Sequence, residues 1–255
     1  MSDIVNVINL IDKPIDEVKE KLVIFSSAFD INQLSQTGFS QMIHDKKENL
    51  YNDIEHEVAT YIQSASNNLI EVPTNVFLLP LITTDRFYLE KMNGILAHTD
   101  GTSNIFMYLN VDKRVESKYI HSISFHEYQH VVRNTIVKKK DPKTLLDVII
   151  DEGCSELFVE YALGKDYVGR WATAISNNEI DQYIGRFKHK LSLTKVDEIQ
   201  KFMYGNTLDY PLWLGYTMGY YIVNKFMKKA PQTQFEHLIR LNPYQIYYNS
   251  TSIDR

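Results

Sequence analysis

One cysteine, Cys154, stands among 255 residues, so no disulfide within the chain can staple the fold. No apolar run approaches the roughly 20 residues of a membrane span, and no membrane partner is expected. Positive charge is also in short supply: 27 Lys and Arg face 32 Asp and Glu, for a net charge of −5. The one basic run, Lys138-Lys139-Lys140, closes a helical pattern, where cations complement the helix macrodipole. Phosphate backbones need clustered cations, so this charge balance argues against nucleic acid as a partner. Repeats, low-complexity stretches and linkers are missing too. Met1 to Asn6 carries an early acid and no basic segment, so no signal peptide is expected and the cytoplasm is the default location. What remains is an ordinary globular composition, 44% hydrophobic and 23% charged. It is long enough for one core in a single unit, with an N-terminal lobe of helix and sheet over about 1–115 and a helical lobe over about 116–255. Nothing in it assigns an oligomeric state.

Against that background one stretch carries recognisable chemistry: Ser124-Phe125-His126-Glu127-Tyr128-Gln129-His130-Val131-Val132-Arg133. On an α-helix, residues four apart share a face one turn up, so His126 and His130 can present two imidazoles to one metal ion. Glu127 then sits beside the metal rather than on it, placed to move a proton to and from water. The same letters would also describe a surface helix with two solvated histidines. Ile120, Ile123, Phe125, Val131, Val132 and Ile136 surround the motif, however, and point to a buried helix, where unpaired imidazoles would be costly. A catalytic zinc site needs a third protein ligand. The continuation His-x-x-Gly-x-x-His fails, because Arg133 and Ile136 stand at those places. The next helical pattern offers Glu152 and Glu156, four apart on one face, with Asp147 and Asp151 close by.

These pieces resemble a known group. His126-Glu127-Tyr128 with His130, followed by Glu152-Gly153 and Glu156, looks like the gluzincin zinc peptidases. With Arg133 and Gly215-Tyr216-Thr217-Met218-Gly219-Tyr220 added, the chain more closely resembles an uncharacterised, mainly bacterial family of predicted zinc-dependent proteases, over about residues 75–230. Cys154-Ser155 departs from the gluzincin pattern, which has a larger apolar residue and Ala there. The resemblance implies an α+β, mainly helical zincin-like fold with a small sheet before the metal helix. It implies Zn²⁺ held by His126, His130 and Glu152, with Glu152 preferred over Glu156 because Gly153 admits a close helix approach. Glu127 becomes the general base and a peptide or protein the substrate. Tyr220 or Tyr216 is the candidate donor to the oxyanion of amide hydrolysis, and a buried tyrosine with a satisfied hydroxyl is the plainer alternative. By the same analogy Gly94 to Ala97 is the edge strand that would take an extended substrate, with a plain internal strand as the alternative.

Along the chain, Ile4 to Ile11 alternates as a strand, Asp12 caps a helix with Pro14 in its first turn, and Thr37-Gly38 breaks it. A long amphipathic helix runs from about Ser40 to Asn67, with His44 and His56 on its solvated side. Val72 to Ile82, Asn93 to His98 and Asn104 to Asn110 read as strands, with a turn over Thr99 to Ser103 and His98 at a loop edge. Ser117 to Lys140 is the metal helix, and His121 lies off its ligand face. Tyr128 and Gln129 are packing residues. Arg133 either orients a carboxylate, holds a substrate group or makes a surface ion pair. Asp141-Pro142 starts the next helix, in which Glu156, or its rivals Asp147 and Asp151, would hold the ring N–H of a ligand histidine and Cys154 is a small core residue. Asn177-Asn178 and Gly205-Asn206 read as turns, and a helix and a Tyr-rich tail end the chain. Two functions of other classes fit the same residues: a catalytically silent zinc- or peptide-binding scaffold, and a zinc hydrolase of non-peptide amides.

Overall fold

The computed structural model describes residues 4–11, 13, 50–81, 83–137 and 142–251. The expected helix from Asp12, the break at Thr37-Gly38, the stretch from Ser40 to Asn49 with His44, the Lys138–Lys140 run, Asp141 and the last residues from Ser252 lie outside them. The fold is α+β, and the chain divides into two compact units: Met1–Asn67 with Glu71–Val131, and Asn68–Ile70 with Val132–Arg255. Among the described residues no helix is long and apolar enough to cross a membrane.

The first unit is built on a four-stranded sheet. Strands β1 (Val5–Asn9), β2 (Thr74–Leu81), β3 (Ile95–Thr99) and β4 (Asn104–Asn110) lie in the order β1-β2-β4-β3. The β1–β2 and β2–β4 pairs are parallel, and β3 runs antiparallel to β4. Parallel strands must be buried on both faces, and β2 is apolar along nearly its whole length. Pro80 in β2 lies beyond the last β1–β2 pair, Asn9↔Leu78, where the missing N–H interrupts no β1 bond. The third strand begins at Ile95 rather than Asn93, because Asn93 and Gly94 both take left-handed φ values, 56° and 73°, and form a turn.

Helix α1 (Ile54–Asn67) packs on β1 with Ile54, Val58 and Ile62 buried at helical spacing. It does not continue back through Leu50, as the periodicity suggests: residues 50–53 form a turn. Tyr51 explains this, since its phenol donates to the Asn110 carbonyl at 2.7 Å and accepts from the Val115 N–H at 3.1 Å. Helix α2 (Ser117–Ile136) follows, and its residues to Val131 belong to this unit. Ile120, Phe125, Tyr128 and Val131 are completely buried along it. Tyr128 also accepts the Val72 N–H at 2.9 Å, and burial pushes its phenol up to about 12.

The second unit is helical. It contains α3 (Leu145–Leu163), α4 (Asn177–Phe187), α5 (Val196–Tyr204), α6 (Leu214–Lys229), α7 (Phe235–Leu238) and α8 (Pro243–Thr251). Helices α3, α4, α5 and α8 all pack against α6. Helix α3 starts at Leu145, not at Asp141-Pro142. Thr144 caps it, accepting the Asp147 N–H at 3.2 Å while the Asp147 carboxylate accepts the Thr144 N–H at 2.7 Å. Likewise Asn177-Asn178 is no turn but the first residues of α4, capped by Ser176 and Glu179. Gly205-Asn206 does end a helix, with φ values of 65° and 63°. Tyr244, Tyr247 and Tyr248 of the C-terminal segment lie within α8.

Two glycines set the α3–α6 crossing. A Cβ on Gly153 would lie 2.3 Å from the Gly219 carbonyl oxygen, and one on Gly219 would lie 2.1 Å from the Ile149 carbonyl oxygen. The helices therefore touch backbone to backbone. The small-residue strip foreseen at Gly215 and Gly219 serves two neighbours: Gly219 faces α3, and a Cβ on Gly215 would meet Met203 of α5 at 2.2 Å.

Candidate metal centre

The one-turn spacing on α2 brings the two imidazoles to a common point. His126 Nε2 and His130 Nε2 are 3.2 Å apart, with ring centroids 4.9 Å apart and planes at 71°. Two nitrogens bound to one tetrahedral zinc at about 2.0–2.1 Å would sit roughly 3.3 Å from each other. The pair thus has the separation one ion needs. Helix α3 supplies Glu152: the ligand atoms of His126, His130 and Glu152 all lie within 4.8 Å of one another. Among the described residues this is the group of three His, Cys, Asp or Glu side chains gathered tightly enough to hold a metal. Two imidazoles and a carboxylate suit zinc, and three protein ligands leave a coordination position open, as catalytic rather than structural sites do. Glu127, next to His126 on α2, is buried, at 4% exposure.

Around this trio the structure distributes the other acidic residues to separate tasks. Asp147 closes the α3 capping box. Asp151 accepts a hydrogen bond from Lys143 Nζ on Oδ2 at 2.9 Å, and its Oδ1 stands in ion-pair contact with Arg133 Nε at 3.1 Å. The Arg133–Asp151 pair is buried, which corrects the surface ion pair considered from sequence. Lys143 carried no signal that could have announced its part in it. Glu156, completely buried, accepts the Gly169 N–H at 2.9 Å and the Trp171 indole N–H at 2.6 Å. Those partners tie the segment after α3 back onto that helix, and Thr217 of α6 donates to the Trp171 carbonyl at 2.7 Å. A spacing of 13 or 15 residues through irregular chain has no sequence signature.

Of the two tyrosines singled out on α6, Tyr220 donates its hydroxyl to Glu160 at 2.6 Å, and Asn224 donates to the same oxygen at 3.2 Å. Burial, then the Glu160 carboxylate, push its phenol well above the usual range. Tyr216, one turn earlier, is half-buried with its ring 5.7 Å from that of Tyr204. Among the described residues no other histidine joins the trio. His56 is exposed on α1, and His121 stacks on Tyr61 at 4.0 Å. His98 is on β3 rather than in a loop, because it pairs in register with Phe106, on which its ring stacks. Burial holds His98 below the usual histidine range, against the opposing pull of Asp100.

Cys154 is fully buried beside the Arg133–Asp151 pair, and burial pushes its thiol up to about 12. Buried from solvent and held mostly as the neutral thiol, it should escape a disulfide reagent at pH 8 in the folded chain. The yellow thiolate of a chromogenic disulfide should appear, one per chain, only once denaturant is added.

A family model described as predicted Zn-dependent protease (DUF2268) matches residues 52–247. That span takes in α1, the sheet from β2 onward, both ligand-bearing helices and α6. No curated protein and no solved structure matches the chain.

Proposed function

The chain belongs to the family of predicted Zn-dependent proteases, and from that premise we propose that it is a gluzincin-type zinc metallopeptidase that hydrolyses peptide bonds of a peptide or protein substrate. The observation that carries this reading is the convergence of His126 and His130, 3.2 Å apart, with the Glu152 carboxylate within 4.8 Å. Bound there, zinc would supply a Lewis acid for the scissile carbonyl and bring the pKa of a water toward about 7. Glu127 takes the proton of the attacking water and returns it to the leaving nitrogen, keeping its carboxylate out of the ligand set. Its place beside His126 on α2, buried at 4% exposure, supports that role. Tyr216 and Tyr220 are the candidate donors to the oxyanion, and Tyr220 would have to turn its hydroxyl from Glu160 to serve. Among the described residues strand β3 is an edge of the sheet, so its outward backbone groups from Leu96 on would take an added substrate strand, whereas Gly94 is already bonded through its N–H to the Tyr88 carbonyl and through its carbonyl to the Asn110 N–H.

Metal content tests the reading. Purified wild-type protein should carry about one zinc per chain, and Glu152→Ala should lose it. Glu156→Ala should keep its metal and lose stability instead, roughly 1–3 kcal/mol for each donor left unpaired at Gly169 and Trp171. Wild-type protein that takes up no zinc when zinc is supplied would overturn the metallopeptidase and leave a binding scaffold. Zinc uptake without cleavage of a peptide library, but with cleavage of simple acyl amides, would move the substrate class.

A further inference from the structure

We propose that the buried Arg133–Asp151 ion pair is a positioning lock for the metal centre, holding Glu152 in the rotational setting at which it meets the two histidines. The inference rests on the zinc reading above. Arg133 follows His130 by three residues on the continuous helix α2, and Asp151 immediately precedes Glu152 on α3. Each is buried, at 6% and 7% exposure. The guanidinium is committed in two directions, Nε to Asp151 Oδ1 at 3.1 Å and Nη1 to the Ile239 carbonyl at 2.7 Å. Lys143, with its side chain 44% exposed, satisfies the other Asp151 oxygen.

Stability does not account for such a pair. Desolvating two charges offsets most of their attraction, and apolar residues of the same volume commonly do as well or better. What the guanidinium adds is position: Nη1 is hydrogen-bonded to the Ile239 carbonyl, and the charge so anchored holds the Asp151 carboxylate in ion-pair contact at 3.1 Å. Asp151 and Glu152 are adjacent on one rigid helix. A rotation of α3 that carried Asp151 about 1 Å from Arg133 would move Glu152 by a similar amount, whereas metal–ligand distances tolerate only about 0.2 Å. The pair therefore constrains the one coordinate on which the third ligand depends. Arg133 and Asp151 touch neither substrate nor metal in this scheme; they are positioning residues.

The test is zinc affinity, measured on the full chain by competition with a chromophoric chelator, beside the visible spectrum of the cobalt(II) form. Arg133→Met combined with Asp151→Leu removes both charges and leaves the Ile239 carbonyl without its donor, so the chain should still fold with a somewhat lower melting temperature. Its zinc affinity should nevertheless fall about 10- to 100-fold, with a changed cobalt spectrum. Arg133→Lys keeps a charge for Asp151 but cannot reach both partners, and should fall between the two. Wild-type affinity and spectrum in a folded double variant would overturn the proposal. Should the double variant not fold, wild-type behaviour of Arg133→Lys overturns it, and an intermediate affinity supports it. Absence of zinc binding by the wild-type chain is a different result: it overturns the metallopeptidase itself.

Discussion

Glu127→Gln is expected to slow peptide hydrolysis by orders of magnitude while leaving the bound metal in place. The substitution keeps the shape of the side chain and removes its basicity. Glu127 is 4% exposed and is not among the three residues whose ligand atoms converge, so neither the helix nor the ligand set should respond. A positioned general base contributes about 10²- to 10⁴-fold to such reactions, and the loss should fall in that range. The measurement is the rate of cleavage of a casein or peptide-library substrate by zinc-loaded protein, with zinc per chain determined on the same sample. Unchanged activity at unchanged metal content would remove Glu127 from the reaction. Lost activity accompanied by lost metal would mean that Glu127 is a ligand.

Gly153→Ala and Gly219→Ala should each destabilise the fold by about 3 kcal/mol or more, at or beyond the upper end of ordinary overpacking. In an exposed helix the same change normally stabilises by about 1 kcal/mol, since Ala is the better helix former. The sign reverses here because the new methyl meets main chain, not a side chain that can swing aside. The contacts would be 2.3 Å and 2.4 Å to the carbonyl of Gly219 in one case and 2.1 Å to that of Ile149 in the other. Gly185 on α4 provides the contrast, because a Cβ there meets nothing within 4 Å, and Gly185→Ala should raise the melting temperature. Urea unfolding of the three variants checks the pattern. Equal stability for all three would show that α3 and α6 can move apart at little cost. A metal site depending on the position of Glu152 would then have a far softer support than the crossing implies.

Much of the secondary structure was legible in short-range patterns. Residues 104–110 form β4 residue for residue as alternation and composition indicate, and α2 begins at Ser117 as expected. Helix starts were less legible. Asp141-Pro142 and Thr144-x-x-Asp147 are both valid start signals within a few residues, and only the paired hydrogen bonds of the Thr144 box reveal which is used. The helix over α1 was extended too far because apolar spacing cannot register that Tyr51 is anchored to residues 59 and 64 positions away.

The sequence by itself determined the heart of the candidate centre. A four-residue spacing converts directly into two imidazoles on one face, and the Glu next to the first of them follows without any fold being known. That Glu152 joins them, while Glu156 holds Gly169 and Trp171 and Asp151 holds Arg133, was decided only by the tertiary structure. Glu152 and Glu156 share one helix face, and the Gly153 beside Glu152 is the one local feature that favours it. What separates them is the partner each meets: the Trp171 indole lies 15 residues from Glu156, and the Ile239 carbonyl lies 106 residues from Arg133. Periodicity encodes which face a side chain is on; which distant group stands opposite that face is a property of packing.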